Sequence, residues 1–130
     1  MTAVDTNVPV RIITDDDHAQ AVRAVAFLRN QDRVFVAKTV LLELEWVLRS
    51  AYRIDRRGIL AALQKLLSMR NLEIEDEGSV RLAIEWHQRG IDFADALHVA
   101  SAGAERSFAT FDGALRRAAG RIGIVKLASI

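Results

Sequence analysis

Five short apolar runs separated by longer helical stretches constrain this fold most. They are Met1 to Val4, Val34 to Ala37, Leu72 to Ile74, Ser107 to Thr110 and Ile122 to Leu127. Each is strand-sized and bounded by polar or turn-forming residues, and Val34-Phe35-Val36 carries the β-branched and aromatic bias of a strand. Helix signals fill the gaps. Asp5-Thr6-Asn7 can cap a brief helix to about Ile13, with Pro9 in its first turn. Asp15-Asp16-Asp17 caps His18 to Asn30, where Val22, Val25, Ala26 and Leu28 form the apolar stripe. Thr39 caps a helix to about Tyr52. Asp55 caps Arg56 to about Met69, with Ile59, Leu60, Leu63, Leu66 and Leu67 inward. Asp76 to Arg89 is helical and ends at Gly90, Asp92 to Glu105 is the next helix, and Gly113 to Ala119 is a short one. Strands alternating with one or two helices predict an α/β fold: a parallel sheet with helices on both faces. No repeat, linker or low-complexity segment interrupts it, so residues 1–130 are expected to form a single domain.

Composition narrows the class. With 51% hydrophobic and 27% charged residues the chain is globular rather than disordered. It has no cysteine, which excludes a disulfide scaffold and a thiolate zinc site and is compatible with the cytoplasm. No apolar run is long enough to span a bilayer, so no membrane association is expected. MTAVDTNV carries an acid where a signal peptide has its apolar centre, so no export signal is expected. The 18 basic and 17 acidic residues nearly cancel, so any nucleic-acid contact must come from local patches.

The acids carry the chemistry. Asp5 ends the first strand and Asp112 follows the fourth; Asp92 and Asp95 open the helix between them. In an open parallel sheet, ligands bind beyond the carboxyl ends of strands. Taken singly, Asp5, Asp92 and Asp112 read best as helix caps, and Asp92 with Asp95 has the spacing of a capping box. As a set they read differently. Carboxylates gathered at one crevice raise each other's pKa unless a cation neutralises them, and a hard, oxygen-preferring ion suits such donors. In TVLLELEWVLRSAY there are two further candidates. Val40, Leu44, Val47 and Ala51 form the predicted centre of the inner face, which leaves Glu43 and Glu45 on opposite flanks. Helical phase does not choose between them.

AVDTNV, LLELEWVLRS, DFADALHVASA and FATFD, in this order, resemble PIN-domain ribonucleases, and most of all the VapC-type toxins of bacterial toxin–antitoxin pairs. The resemblance spans nearly the whole chain. It implies a three-layer α/β/α sandwich with a central parallel sheet. It also implies a Mg²⁺- or Mn²⁺-dependent endoribonuclease that hydrolyses single-stranded or loop RNA with metal-activated water. The family's acids fall on Asp5, Glu43, Asp95 and Asp112, so the resemblance selects Glu43 over Glu45. Asp5, Asp95, Asp112 and the additional Asp92 are the implied metal ligands, with Asn7 and Thr110 in support. A small cognate antitoxin and a homodimer are implied as partners.

RNA contacts are expected from cations: Lys38 first, then Arg11, Arg49, Arg53, Arg116 and Arg117, although each is also an ordinary surface cation. His18 reads as a surface residue, His87 as a helix-end cation, and His98 as a neighbour of Asp95 one turn on. Trp46 and Trp86 read as packing or interface residues. Two other functions compete. One is a non-cleaving PIN-like module that binds RNA or protein. The other is an aspartate-based phosphotransfer domain, disfavoured because Asn7 stands where a phosphatase of that type has a second aspartate.

Overall fold

The computed structural model describes residues 1–124 and 126–130. The chain divides into two compact units, Met1–Glu75 and Asp76–Ile130. The first contains β1 (Thr2–Ala3), α1 (Asn7–Thr14), α2 (His18–Arg29), β2 (Val34–Val36), α3 (Lys38–Ser50), α4 (Arg56–Ser68) and β3 (Leu72–Ile74). The second contains α5 (Glu77–Gln88), α6 (Phe93–Ser101), β4 (Phe108–Ala109), α7 (Gly113–Ile122) and β5 (Leu127–Ala128). Among the described residues all strand pairing is parallel, as the strand–helix alternation predicts. It forms two ladders there, β1-β2-β3 in the first unit and β4-β5 in the second.

In the first unit, Val34 and Val36 of the central strand β2 are buried, in register with Leu72 and Ile74 of β3. Leu41, Leu44 and Leu48 of α3 and Ile59, Leu63 and Leu66 of α4 complete this core. Burying one such side chain stabilises by about 1.5–3 kcal/mol before chain entropy is counted. Leu60 and Leu67, expected on the same face of α4, are only half-buried. On α2 the predicted stripe is displaced. Ala21 and Leu28 are buried, whereas Val22 is 54% exposed and Ala26 lies at the surface. Residues 21, 24, 25 and 28 face inward at helical spacing, so Ala21 rather than Val22 begins the seam.

Thr39 does not cap α3. The helix begins one residue earlier, after Ala37, which has no capping side chain. The end of β3 supplies the missing acceptor: Oε1 of Glu75 takes the Lys38 backbone N–H at 2.8 Å. Before α2 and α4 the expected aspartate caps form. Asp17 accepts from the Gln20 N–H at 3.0 Å and Asp55 from the Gly58 N–H at 2.9 Å.

In the second unit α5 packs along α6, with Val80, Ala83 and Ile84 against a face that includes Phe93, Ala96, Leu97 and Ala100. Asp76 precedes α5 in a left-handed conformation (φ 50°) without a side-chain cap. Gly90 follows α5 at φ 111°, where a residue without Cβ is favoured, and its N–H bonds the His87 carbonyl at 3.1 Å. α6 stops at Ser101, four residues before its expected end at Glu105. Gly103 turns left-handed there (φ 86°), and Nζ of Lys126 takes the carbonyls of Val99 and Gly103, each at 2.8 Å. The last strand is also later than expected. Ile122 belongs to α7, Gly123 ends that helix at φ 83°, and the Phe108 N–H meets the Lys126 carbonyl at 2.8 Å just before β5 at Leu127. Val125, within the expected strand, lies outside the described residues.

Candidate active site carboxylates

Each unit presents its own acids. In the first, Asp5 follows β1 at the surface, and the α1 helix begins two residues later at Asn7. Glu43 projects from the second turn of α3. The Thr6 hydroxyl, expected to help cap α1, makes no cap bond; it donates instead to Oε1 of Glu43.

α3 is rotated from its predicted phase. Its buried face is Leu41, Leu44, Glu45 and Leu48, while Val40 and Val47 are half-buried and Ala51 is exposed. Glu45 therefore sits inside, at 2% exposure, and Glu43 outside. A buried carboxylate needs a partner, and one helical turn on Arg49 supplies it. Arg49 Nε reaches Oε2 of Glu45 at 2.8 Å and Nη2 reaches Oε1 at 3.4 Å. Phase thus separates the two glutamates after all, once the neighbouring helices have set the face. Glu45 is committed to an internal ion pair and Glu43 is accessible.

In the second unit the acids are held by helix starts. Asp92 caps α6, its Oδ2 accepting the Asp95 N–H at 3.2 Å. Asp112 caps α7, its Oδ1 accepting the Leu115 N–H at 3.1 Å. Thr110 supports Asp112 directly: its hydroxyl oxygen accepts the Asp112 backbone N–H at 3.0 Å. Asp95, in the first turn of α6, is half-buried. Burial pushes its carboxyl above the usual aspartate value, and the charges of Asp92 and then Asp112 push it further; His98 opposes them. Asp95 thus lies within electrostatic reach of both other acids. Among the described residues no three His, Asp or Glu side chains form a ready-made cage for an ion. The donor set fits Mg²⁺ or Mn²⁺ nonetheless. It is all oxygen, and Mg²⁺ is held through one or two carboxylates while keeping several of its waters.

The candidate cations divide. Arg116 points at backbone rather than outward: its Nε and Nη2 bond the Thr110 carbonyl at 3.1 and 3.0 Å. That tie fixes the segment carrying Asp112, a positioning role the sequence does not announce. Arg49 is engaged by Glu45. Arg11 bonds Asp16 at 2.9 Å and Gln20 at 2.6 Å, in a network that Tyr52 completes by donating to Asp16 at 2.7 Å. Arg53 and Arg117 are exposed and Lys38 is half-buried. His87, expected as a helix-end cation, is buried at 4% exposure. Its Nδ1 lies 2.7 Å from the Ile91 carbonyl, and its ring meets Phe93 edge-on at 5.8 Å. His18 pairs with Asp15 at the surface, and Trp46 is largely exposed. No helix among the described residues is long and apolar enough to cross a membrane.

Among solved structures, the chain is similar to that of Mycobacterium tuberculosis VapC20, described as a sarcin-ricin loop cleaving toxin. The two share 23% identity over 99% of this chain and 100% of that chain, with a TM-score of 0.47. No curated protein matches the sequence. The family model of the PIN domain matches residues 2–121, across both units. The chain belongs to the PIN domain family.

Proposed function

We propose that this protein is a Mg²⁺- or Mn²⁺-dependent endoribonuclease, the VapC-type toxin of a toxin–antitoxin pair, working as one domain over residues 1–130 in the cytoplasm. Family membership and the four resembling motifs support the class. The observation that carries the chemistry is Asp95, a half-buried carboxylate whose proton affinity is raised by burial and by Asp92 and Asp112. A group that resists ionising beside other acids gains most from a cation.

In this reading Asp5, Asp95 and Asp112 hold the ion, directly or through water, with Asp92 as cap and additional ligand. When bound, the ion lowers the pKa of a water and neutralises charge developing on the scissile phosphate. Glu43 orients the attacking water and accepts hydrogen bonds from it. Asn7, at the start of α1, and Thr110, through Asp112, keep the neighbouring acids in place. Lys38, Arg53 and Arg117 steer the RNA backbone. The remaining partners are a small antitoxin and a second copy of the chain.

The test is cleavage of structured RNA by purified protein, with Mn²⁺ or Mg²⁺ and with EDTA. Asp5→Asn and Asp95→Asn, one from each unit, should each lower cleavage on the order of 10²–10³-fold, comparable to losing one electrostatic stabiliser elsewhere. Cleavage that persists in EDTA, or in either variant, would overturn the proposal. RNA binding without cleavage at saturating Mn²⁺ would favour the non-cleaving module instead.

A further inference from the structure

Thr6 stands between Asp5 and Asn7 and is 7% exposed. It occupies the cap position of α1, where a threonine hydroxyl ordinarily accepts a backbone N–H. Here the hydroxyl makes no such bond. It donates to Oε1 of Glu43, 37 positions along the chain. Glu43 is a long side chain at the surface, and without a partner it would sample several rotamers. The bond removes that freedom at one oxygen and leaves the other to solvent or ligand. It also ties Glu43 to the residue next to Asp5, so one hydrogen bond couples the acid after β1 to the acid on α3.

We infer that Thr6 is a positioning residue for Glu43: its buried hydroxyl holds the Glu43 carboxylate in the orientation the reaction uses. The inference rests on the nuclease reading above. A bond of this kind supports a ligand or water-orienting group from behind, and loss of such support typically costs about 10–100-fold in metal affinity or activity. Thr6→Val preserves the shape of the side chain and removes the donor; Thr6→Ser keeps the donor.

Three measurements test it. The first is a stability cycle in EDTA without RNA, using wild type, Thr6→Val, Glu43→Ala and the double variant. Thr6→Val should lower Tm in the wild-type background and have little effect beside Glu43→Ala. Equal losses in both backgrounds would overturn the bond. The second is Mn²⁺ titration followed calorimetrically, in which Thr6→Val and Thr6→Ser should both bind as wild type does, because the aspartates hold the ion and Glu43 orients water; Thr6→Val that loses Mn²⁺ binding would overturn this role. The third is RNA cleavage at saturating metal. Thr6→Val should fall about 10–100-fold in kcat with KM nearly unchanged, and Thr6→Ser should stay within a few fold. Wild type that cuts no RNA would overturn the nuclease reading and this role together. Thr6→Val that cuts like wild type, or Thr6→Ser as damaged as Thr6→Val, would overturn the role alone.

Discussion

The glutamates of α3 and the aspartates that open α6 and α7 are held by different means. In Met1–Glu75 the acids of α3 depend on side chains, and one tie reaches far along the sequence: Thr6 to Glu43 spans 37 positions. Glu45 is held by Arg49 from within the helix, but it is buried only because tertiary packing turns that face inward. In Asp76–Ile130, Asp92 and Asp112 are held by the backbone three residues ahead, at Asp95 and Leu115. The difference is one of range. A helix cap is written into a few consecutive residues, whereas a cross-element bond exists only once the elements have packed.

Arg49→Ala should break this contrast most. It strips the buried Glu45 carboxylate of its guanidinium partner inside the first unit. Breaking a fully buried pair costs about 3–5 kcal/mol. Arg49 is about half exposed, so we expect about 2 kcal/mol, read by chemical denaturation. No loss would mean that Glu45 finds other partners and that the first unit is less dependent on this tie than its geometry implies.

Asp112 separates cap from charge. Asp112→Ala should cost about 1 kcal/mol, the usual worth of an N-cap. Asp112→Asn keeps an acceptor for the Leu115 N–H and should stay within a few tenths of that unit of wild type, because asparagine caps as well as aspartate. Both should lose cleavage. Equal destabilisation by the two variants would show that charge, and not the cap bond, holds this helix start.

The smallest expected effect concerns pH. The Asp95 carboxyl is raised above the usual aspartate value in the folded protein by burial and by the charges of Asp92 and Asp112. Its ionisation therefore costs stability above that raised value, and the cost is relieved as pH falls through it toward the unfolded value. Asp95→Asn should raise Tm slightly at about pH 7 in EDTA, with the gain vanishing by about pH 4. Adding Mn²⁺ should reverse the order by stabilising wild type more. A gain that is unchanged across this range would mean that Asp95 is not strained by its neighbours.

Much of this was legible from local signals. Asp17, Asp55, Asp92 and Asp112 each cap the helix that follows them, and Gly90 ends α5 in the left-handed region. The less legible features share one cause. Ala21 in place of Val22, the early stop of α6 beneath Lys126, and the Glu75 carboxylate at the start of α3 all depend on partners distant in sequence.

The sequence by itself determined the order of strands and helices and the aspartate caps of α2, α4, α6 and α7, because these rest on spacing, propensity and hydrogen bonds a few residues long. Only the tertiary structure decided which α3 glutamate is buried and where the Thr6 hydroxyl goes. It also decided that Arg116 serves the backbone beside Asp112. Helical periodicity names a stripe but leaves its rotation free by a residue either way. Packing against neighbouring elements fixes that rotation, and with it which charge is buried and must find a partner.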